Sequence, residues 1–171
     1  MLLTIGQFYP RAQGRYEETP YQTIRIRQGK LLDGRYVRVM EMNGGWASGI
    51  EQSTHQSFFP YVKHIKKIIE TVQPKTVAII GAAGCTLPQE IASQSSLDAI
   101  DVIDIDKRVF SIAADRFLEQ PLDNKINPIA QSARGWIHDM IAAGKKYDMI
   151  VVDAYNGTAL PEELITKEFF A

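Results

Sequence analysis

The stretch that most constrains the fold runs from Lys75 to Asp106. Val77-Ala-Ile-Ile80 is a short, unbroken apolar run, the pattern of a parallel strand covered on both faces. It ends at Gly81, and Gly84 follows within a tight turn. A helix can begin at Thr86 or Leu87, with Pro88 tolerated in its first turn because no backbone donor is needed there. A second apolar run ends at Asp104, twenty positions after Gly84. Strand, glycine turn, helix, strand and acid is the layout of dinucleotide and adenosyl-cofactor sites. The glycines let a ligand approach the backbone, and the acid accepts from a ribose hydroxyl. The full fingerprint carries three glycines. Here Ala83 and Cys85 stand where further glycines could be, so the loop alone also describes an ordinary βαβ turn with no ligand.

The chain of 171 residues is 45% hydrophobic and carries a formal net charge of −1. That fits one globular α/β domain with a small appendage. A near-neutral charge gives no field to hold nucleic acid or an anionic membrane. No apolar run approaches the ~20 residues needed to span a bilayer. The start, Met1-Leu-Leu-Thr-Ile-Gly, lacks the basic and long apolar stretches of a signal peptide. The lone Cys85 rules out an intrachain disulfide and fits a reducing cytosol, so a cytoplasmic location is expected.

Before the glycine loop, residues 1–18 read as an irregular lead or an edge strand. Tyr21 to Arg27 alternates, Gln28-Gly-Lys30 reads as a turn, and Asp33-Gly34 is a hairpin dipeptide. Arg35 to Met42 alternates again and stops at Asn43-Gly-Gly45. This predicts a small antiparallel β unit over residues 1–50. Residues 51–171 then follow as a Rossmann-like unit. Phe58, Phe59, Tyr61, Val62, Ile65, Ile68 and Ile69 recur at helical spacing, with lysines opposite, up to Pro74. Val109 to Leu118 reads as a helix, Ile126 to Ala130 as a third strand, Ala133 to Ala143 as a helix, and Met149 to Asp153 as a fourth buried strand. Glu162 reads as a helix start. The chain stops at Ala171 with that helix under way, and a doubly wound sheet normally carries more strands. We therefore expect a fragment of a longer protein.

In an open parallel sheet, ligands sit beyond the carboxyl ends of the strands. That rule selects Gly81 to Thr86, Asp104, Asp106, Gln131 to Ala133, and Asp153 to Asn156. Asp153 follows four apolar strand residues and should stand at the mouth of the cleft, able to take a proton from an amine or to cap the next turn. Asp104 either binds ribose or faces solvent. Asp106 is expected to cap the helix beginning near Lys107. His55, His64 and His138 have no ligand spacing, so no metal set emerges. Cys85 has no adjacent histidine and reads as a packing residue.

As a whole the chain resembles the spermidine/spermine synthase (polyamine aminopropyltransferase) family. The likeness rests on Pro20-Tyr-Gln-Thr-Ile-Arg-Ile, Leu31-Leu-Asp-Gly34, Val77 to Leu87, Val102-Ile-Asp-Ile-Asp106, Val151-Val-Asp-Ala-Tyr155 and Leu160 to Phe170, in that order. The resemblance implies a class I methyltransferase-type fold behind an N-terminal β unit. It implies transfer of an aminopropyl group from decarboxylated S-adenosylmethionine to a polyamine amine, without metal, in a homodimer. It implies a cofactor site at Gln22, Gly81, Ala83, Gly84, Asp104, Ile105, Ser132 and Ala133. Asp153 would be the catalytic acid that deprotonates the attacking amine, with Tyr155 and Asn156 beside the acceptor. The family's loop aspartate is absent, its second substrate acid is Asn156, and Ser132 replaces the aspartate before Ala133-Arg134. Gly49-Ile-Glu-Gln52 lies where the family carries a tyrosine-histidine pair. Two other activities fit the same scaffold: an S-adenosylmethionine-dependent methyltransferase, or a non-catalytic binding and assembly domain.

Overall fold

The alternating first third folds as an antiparallel sheet in a computed structural model that describes residues 9–10, 14–155, 161–164 and 166–167. Its strands are β1 (Tyr9–Pro10), β2 (Arg15–Glu18), β3 (Thr23–Lys30), β4 (Tyr36–Met42) and β5 (Gly45–Glu51). They are ordered β1-β3-β4-β5, with β2 pairing the other end of β3. Ile24, Ile26, Met40 and Ile50 face inward while Arg25 is exposed, as a period of two requires. The turn expected at Gln28-Gly-Lys30 is instead strand. Gly29 has partners on both sides, Pro10 and Val37, and a glycine held on both edges weakens a strand without ending it. The chain reverses at 31–35, where the Leu31 N–H donates to the Arg35 carbonyl. Asn43 and Gly44 both take positive φ, 49° and 82°. That is a two-residue hairpin turn, and it returns the chain directly as β5, a strand the sequence did not disclose.

The period then changes. Helix α1 (Pro60–Val72) starts on a proline and ends at Gln73, which takes the left-handed conformation and donates its N–H to the Ile69 carbonyl. Val62 and Ile69 are buried, and Lys63 and Lys67 lie on the exposed side. Strands β6 (Thr76–Ile80), β7 (Ala99–Asp104), β8 (Ile126–Ala130) and β9 (Met149–Val152) build a four-stranded sheet ordered β8-β7-β6-β9, with every pair parallel. The helices between them are α2 (Thr86–Ile91), α3 (Lys107–Ile112) and α4 (Ala133–Ala142). One face of the sheet, with Val77, Ile79, Ile100 and Val102, packs in a single cluster with α1, α2, α3 and the antiparallel sheet. The other face, with Ala78, Ile80 and Ile103, meets Trp136 of α4 and Leu164. This is a Rossmann-like, class I methyltransferase-type sheet with a small N-terminal antiparallel unit. The chain winds from β6 out to β8 and crosses back to β9, so strand order reverses at β6. Open α/β sheets bind ligands at such a reversal.

Three expected elements differ in detail. The helix expected over Val109 to Leu118 is α-helical only to Ile112, and Ala113–Leu118 is a π-helical segment. Buried Arg38 of β4 donates to the Phe117 carbonyl and pairs with Glu119. An outside partner for a helix carbonyl accompanies such a widened turn. Strand β9 is not fully buried: Val151 is buried but Ile150 is 52% exposed, because no described strand pairs with the outer side of β9. At Glu162–Leu164 the described chain makes a 3₁₀ turn. No helix among the described residues is long and apolar enough to cross a membrane.

Candidate active site

Three strand ends meet at Gly81. Its N–H donates to the Ile103 carbonyl of β7, and the Asp153 N–H donates to the Ile80 carbonyl of β6. Asp104 and Asp153 therefore flank the glycine. Strands lie about 4.8 Å apart, so the two acids stand roughly 10 Å from one another across the end of β6. Gly81 has a φ of 104°, and a Cβ there would sit 2.4 Å from the Asp153 carbonyl oxygen. The bare main chain is thus required twice, by the positive φ and by the close approach of the β9 extension.

Asp104 does not face open solvent. Its Oδ2 accepts the Ala82 N–H at 3.0 Å and its Oδ1 accepts the Asp106 N–H at 2.9 Å. Burial pushes its pKa up, while the two N–H bonds pull the other way. A carboxylate has about four lone-pair sites, so each oxygen retains capacity for a hydroxyl. Ile105 follows with 50% of its surface exposed, setting an apolar side chain beside the acid. Asp106 caps α3 by accepting the Arg108 N–H, and its Oδ2 accepts from Gln22 Nε2 at 3.2 Å. Gln22 thus reaches from the antiparallel sheet to the rim of the parallel one. Arg108 reinforces that seam by donating to the Glu18 carbonyl and pairing with Glu17.

Ala83 and Gly84 lie in the turn between β6 and α2, with Ala83 at φ 42° and Cys85 at φ 53°. The Cys85 side chain is fully buried, and burial, with the Asp104 charge adding, pushes its thiol up to about 12. It is a packed thiol, not a nucleophile. The Gln131 N–H donates to the Asp104 carbonyl, which brings the turn containing Ser132 and Ala133 alongside Asp104. Ser132 Oγ caps α4 by accepting the Gly135 N–H at 3.2 Å. No cluster of three or more potential metal ligands occurs among the described residues.

Asp153 sits on the other side. Its Oδ2 accepts the Tyr61 hydroxyl at 2.9 Å. Burial raises its pKa to about 6, against the opposing effect of the Tyr61 bond. Tyr61 itself is pushed well above its ordinary value, first by burial and then by the Asp153 charge. Tyr155 is 61% exposed at the same end of β9; Asn156 lies outside the described residues. Sequence reasoning placed Tyr61 only in the apolar stripe of α1 and looked for a tyrosine near Gly49 to Gln52. The tyrosine that meets the acid comes from the first turn of α1 instead. The one available signal was its polar tip at the end of an otherwise aliphatic face.

The Tyr61 bond stabilises the ionised carboxylate, so removing it favours the protonated form. Tyr61→Phe is expected to raise the Asp153 pKa further by roughly 0.5–1 unit. Titration of the Asp153 carboxyl by NMR would read this, and an unmoved midpoint would dissociate the tyrosine from the acid.

No protein-family model matches the chain. It is 34% identical over 113 residues to the polyamine aminopropyltransferase of Vibrio vulnificus, covering 66% of this chain and 38% of that protein. It is 28% identical over 162 residues to the polyamine aminopropyltransferase of Clostridium beijerinckii, covering 90% and 52%. It is 31% identical over 100 residues to spermidine synthase 2 of Arabidopsis thaliana, covering 57% and 29%. The chain thus spans about half, or less, of the length of these relatives. The spermidine synthase of Thermotoga maritima superposes with a TM-score of 0.72 at 18% identity, over 95% of this chain and 53% of that one. A spermidine synthase in complex with the transition-state analogue AdoDATO gives 0.73 at 18% identity, over 95% and 54%. The chain is thus similar, over about half of their length, to proteins named polyamine aminopropyltransferase and spermidine synthase, and it shares their fold.

Proposed function

We propose that the protein transfers an aminopropyl group from decarboxylated S-adenosylmethionine to the amine of a polyamine, with Asp153 as the base. The observation that carries this reading is the pairing of a half-shielded Asp153, held by Tyr61, with Asp104 on the opposite side of a bare glycine turn. The residues present fit an adenosyl co-substrate. Gly81 offers uncovered main chain, Asp104 keeps lone pairs for ribose hydroxyls, and Ile105 gives an exposed apolar surface for a base. Gln22, Ala83, Gly84, Ser132 and Ala133 complete the proposed nucleoside side. Tyr155 and Asn156 fall on the proposed acceptor side. In this reading residues 51–171 form the co-substrate-binding unit and residues 1–50 wall it from the β7 side. The protein would act in the cytoplasm as a homodimer, on a small-molecule amine, without metal, nucleic acid or membrane.

The chemistry is a displacement at carbon. The amine lone pair forms a C–N bond to the methylene next to the sulfonium as the C–S bond breaks, and the thioether nucleoside leaves. The proton shed by the amine passes to an Asp153 oxygen. A carboxylate with a pKa near 6 accepts that proton more readily than a solvated one and is still ionised at pH 7. Holding the reacting atoms in line supplies much of the remaining rate.

The test is a titration with 5′-methylthioadenosine followed by turnover with the decarboxylated co-substrate and a diamine. We expect nucleoside binding, aminopropyl transfer, and at least a tenfold loss of affinity in Asp104→Ala. Methyl transfer from S-adenosylmethionine without aminopropyl transfer would move the assignment to the methyltransferase reading. Failure of every adenosyl compound to bind would leave only a non-catalytic domain.

A further inference from the structure

We infer that Ser48 is a positioning residue for the glycine loop, and that the antiparallel sheet sets the affinity of the nucleoside site through it. This rests on the reading of that loop as nucleoside-binding.

Ser48 lies in the middle of β5 and is 2% exposed. Its Oγ accepts the Gly84 N–H at 2.9 Å, across 36 positions of sequence, and the Thr86 hydroxyl is 3.3 Å away. One hydroxyl thus takes up the buried N–H in the middle of the turn and contacts the first residue of α2. The turn is tightly held from below. A Cβ placed on Gly84 would lie 2.4 Å from the Phe117 ring and 2.7 Å from the Ser48 Cβ. Phe117 is anchored in turn by Arg38 of β4, which donates to its carbonyl. Two neighbouring strands of the antiparallel sheet therefore grip the loop, Ser48 directly and Arg38 through Phe117.

The loop needs that grip. Ala83 and Cys85 both have positive φ, a region that disfavours side chains with a Cβ. A turn holding two such residues stays in place only where its surroundings over-determine it. Removing the Ser48 hydroxyl leaves the Gly84 N–H buried without a partner, so the loop gains by turning away. Asp104 moves with it, because its Oδ2 is bonded to the Ala82 N–H two residues earlier in the same turn. The lost hydroxyl is then felt at the ribose-binding acid, which Ser48 does not touch.

The test compares Ser48→Ala with Val39→Ala, a core truncation in the same sheet that packs with Leu31 and Val37. Two readouts are taken on the full chain: the dissociation constant for 5′-methylthioadenosine, and the rate at which a thiol reagent labels Cys85, the single cysteine. Ser48→Ala is expected to weaken nucleoside binding at least fivefold and to speed Cys85 labelling at least tenfold. Val39→Ala is expected to lower the melting temperature while keeping affinity within twofold and labelling near wild type. Unchanged affinity in Ser48→Ala overturns the proposal, whether or not labelling accelerates. So does an equal loss of affinity in both variants, which would mark a general stability effect. If the wild-type protein binds no nucleoside, the functional reading fails separately, and unchanged Cys85 labelling in Ser48→Ala then overturns the grip itself.

Discussion

Asp153→Asn is expected to lower aminopropyl transfer by about two to four orders of magnitude, the range that a positioned base supplies, while 5′-methylthioadenosine binds within about threefold of wild type. The amide keeps the shape and can still accept the Tyr61 hydroxyl, so the nucleoside side should be undisturbed. The amide cannot take a proton from the amine. Retained turnover would refute the role of base. The same variant carries a stability signature of defined sign. The folded pKa of Asp153 is raised to about 6 from 3.8, so the folded state holds this proton more tightly than the unfolded one. Its stabilising contribution is complete below pH 3.8 and is lost as pH rises through about 6. Above that, ionised Asp153 costs on the order of 1–3 kcal/mol, allowing for its partial exposure. The uncharged amide escapes that cost. Asp153→Asn should therefore melt a few degrees higher than wild type at pH 8 and at nearly the same temperature at pH 4. A dead enzyme that is more stable at high pH is the combined result to look for in melting scans and rate assays.

Gly81→Val is expected to have the largest effect on the fold. A β-branched residue at φ 104° is strained whatever the space around it, and here no space exists. The added carbon would meet the Asp153 carbonyl oxygen at 2.4 Å and the Ala154 Cα at 3.0 Å, both main chain. Neither can rotate away as a side chain would. Strain of about 1–3 kcal/mol at φ combines with a clash that must separate β6 from the β9 extension. We expect a fall in melting temperature of roughly 10 °C or more and loss of nucleoside binding in whatever folds. Gly81→Ala should show the same direction with a smaller fall. A variant that melts within a degree or two of wild type would mean that the strand ends do not meet as described.

The parts of this molecule that could be read from sequence are those fixed by neighbours in the chain. The apolar runs before Gly81 and Asp104 carry the pattern of parallel strands, and α1 announced itself by its period. Contacts that join distant segments were not readable. Tyr61 meets Asp153 across 92 positions, and nothing local separates that tyrosine from the core residues beside it. In the π-helical segment the Phe117 carbonyl accepts from Arg38, whose alternation in β4 gave no hint that it turns inward toward a helix carbonyl. Gly29 looked like a turn because glycine often marks one, but strands on both sides overrode the propensity. Ile150 looked buried because its neighbours are apolar; its exposure depends on what lies beyond β9, which no four-residue window contains.

Gly81 bridges the two acids through rigid main chain, its turn bonded to Asp104 on one side and its α-carbon set against the peptide of Asp153 on the other. On the proposed reading, a nucleoside seated on the turn and a proton bound at Asp153 act on one piece of backbone. Thermodynamic reciprocity then holds between them: whatever factor occupancy changes the proton affinity of Asp153, protonation changes the nucleoside affinity by the same factor.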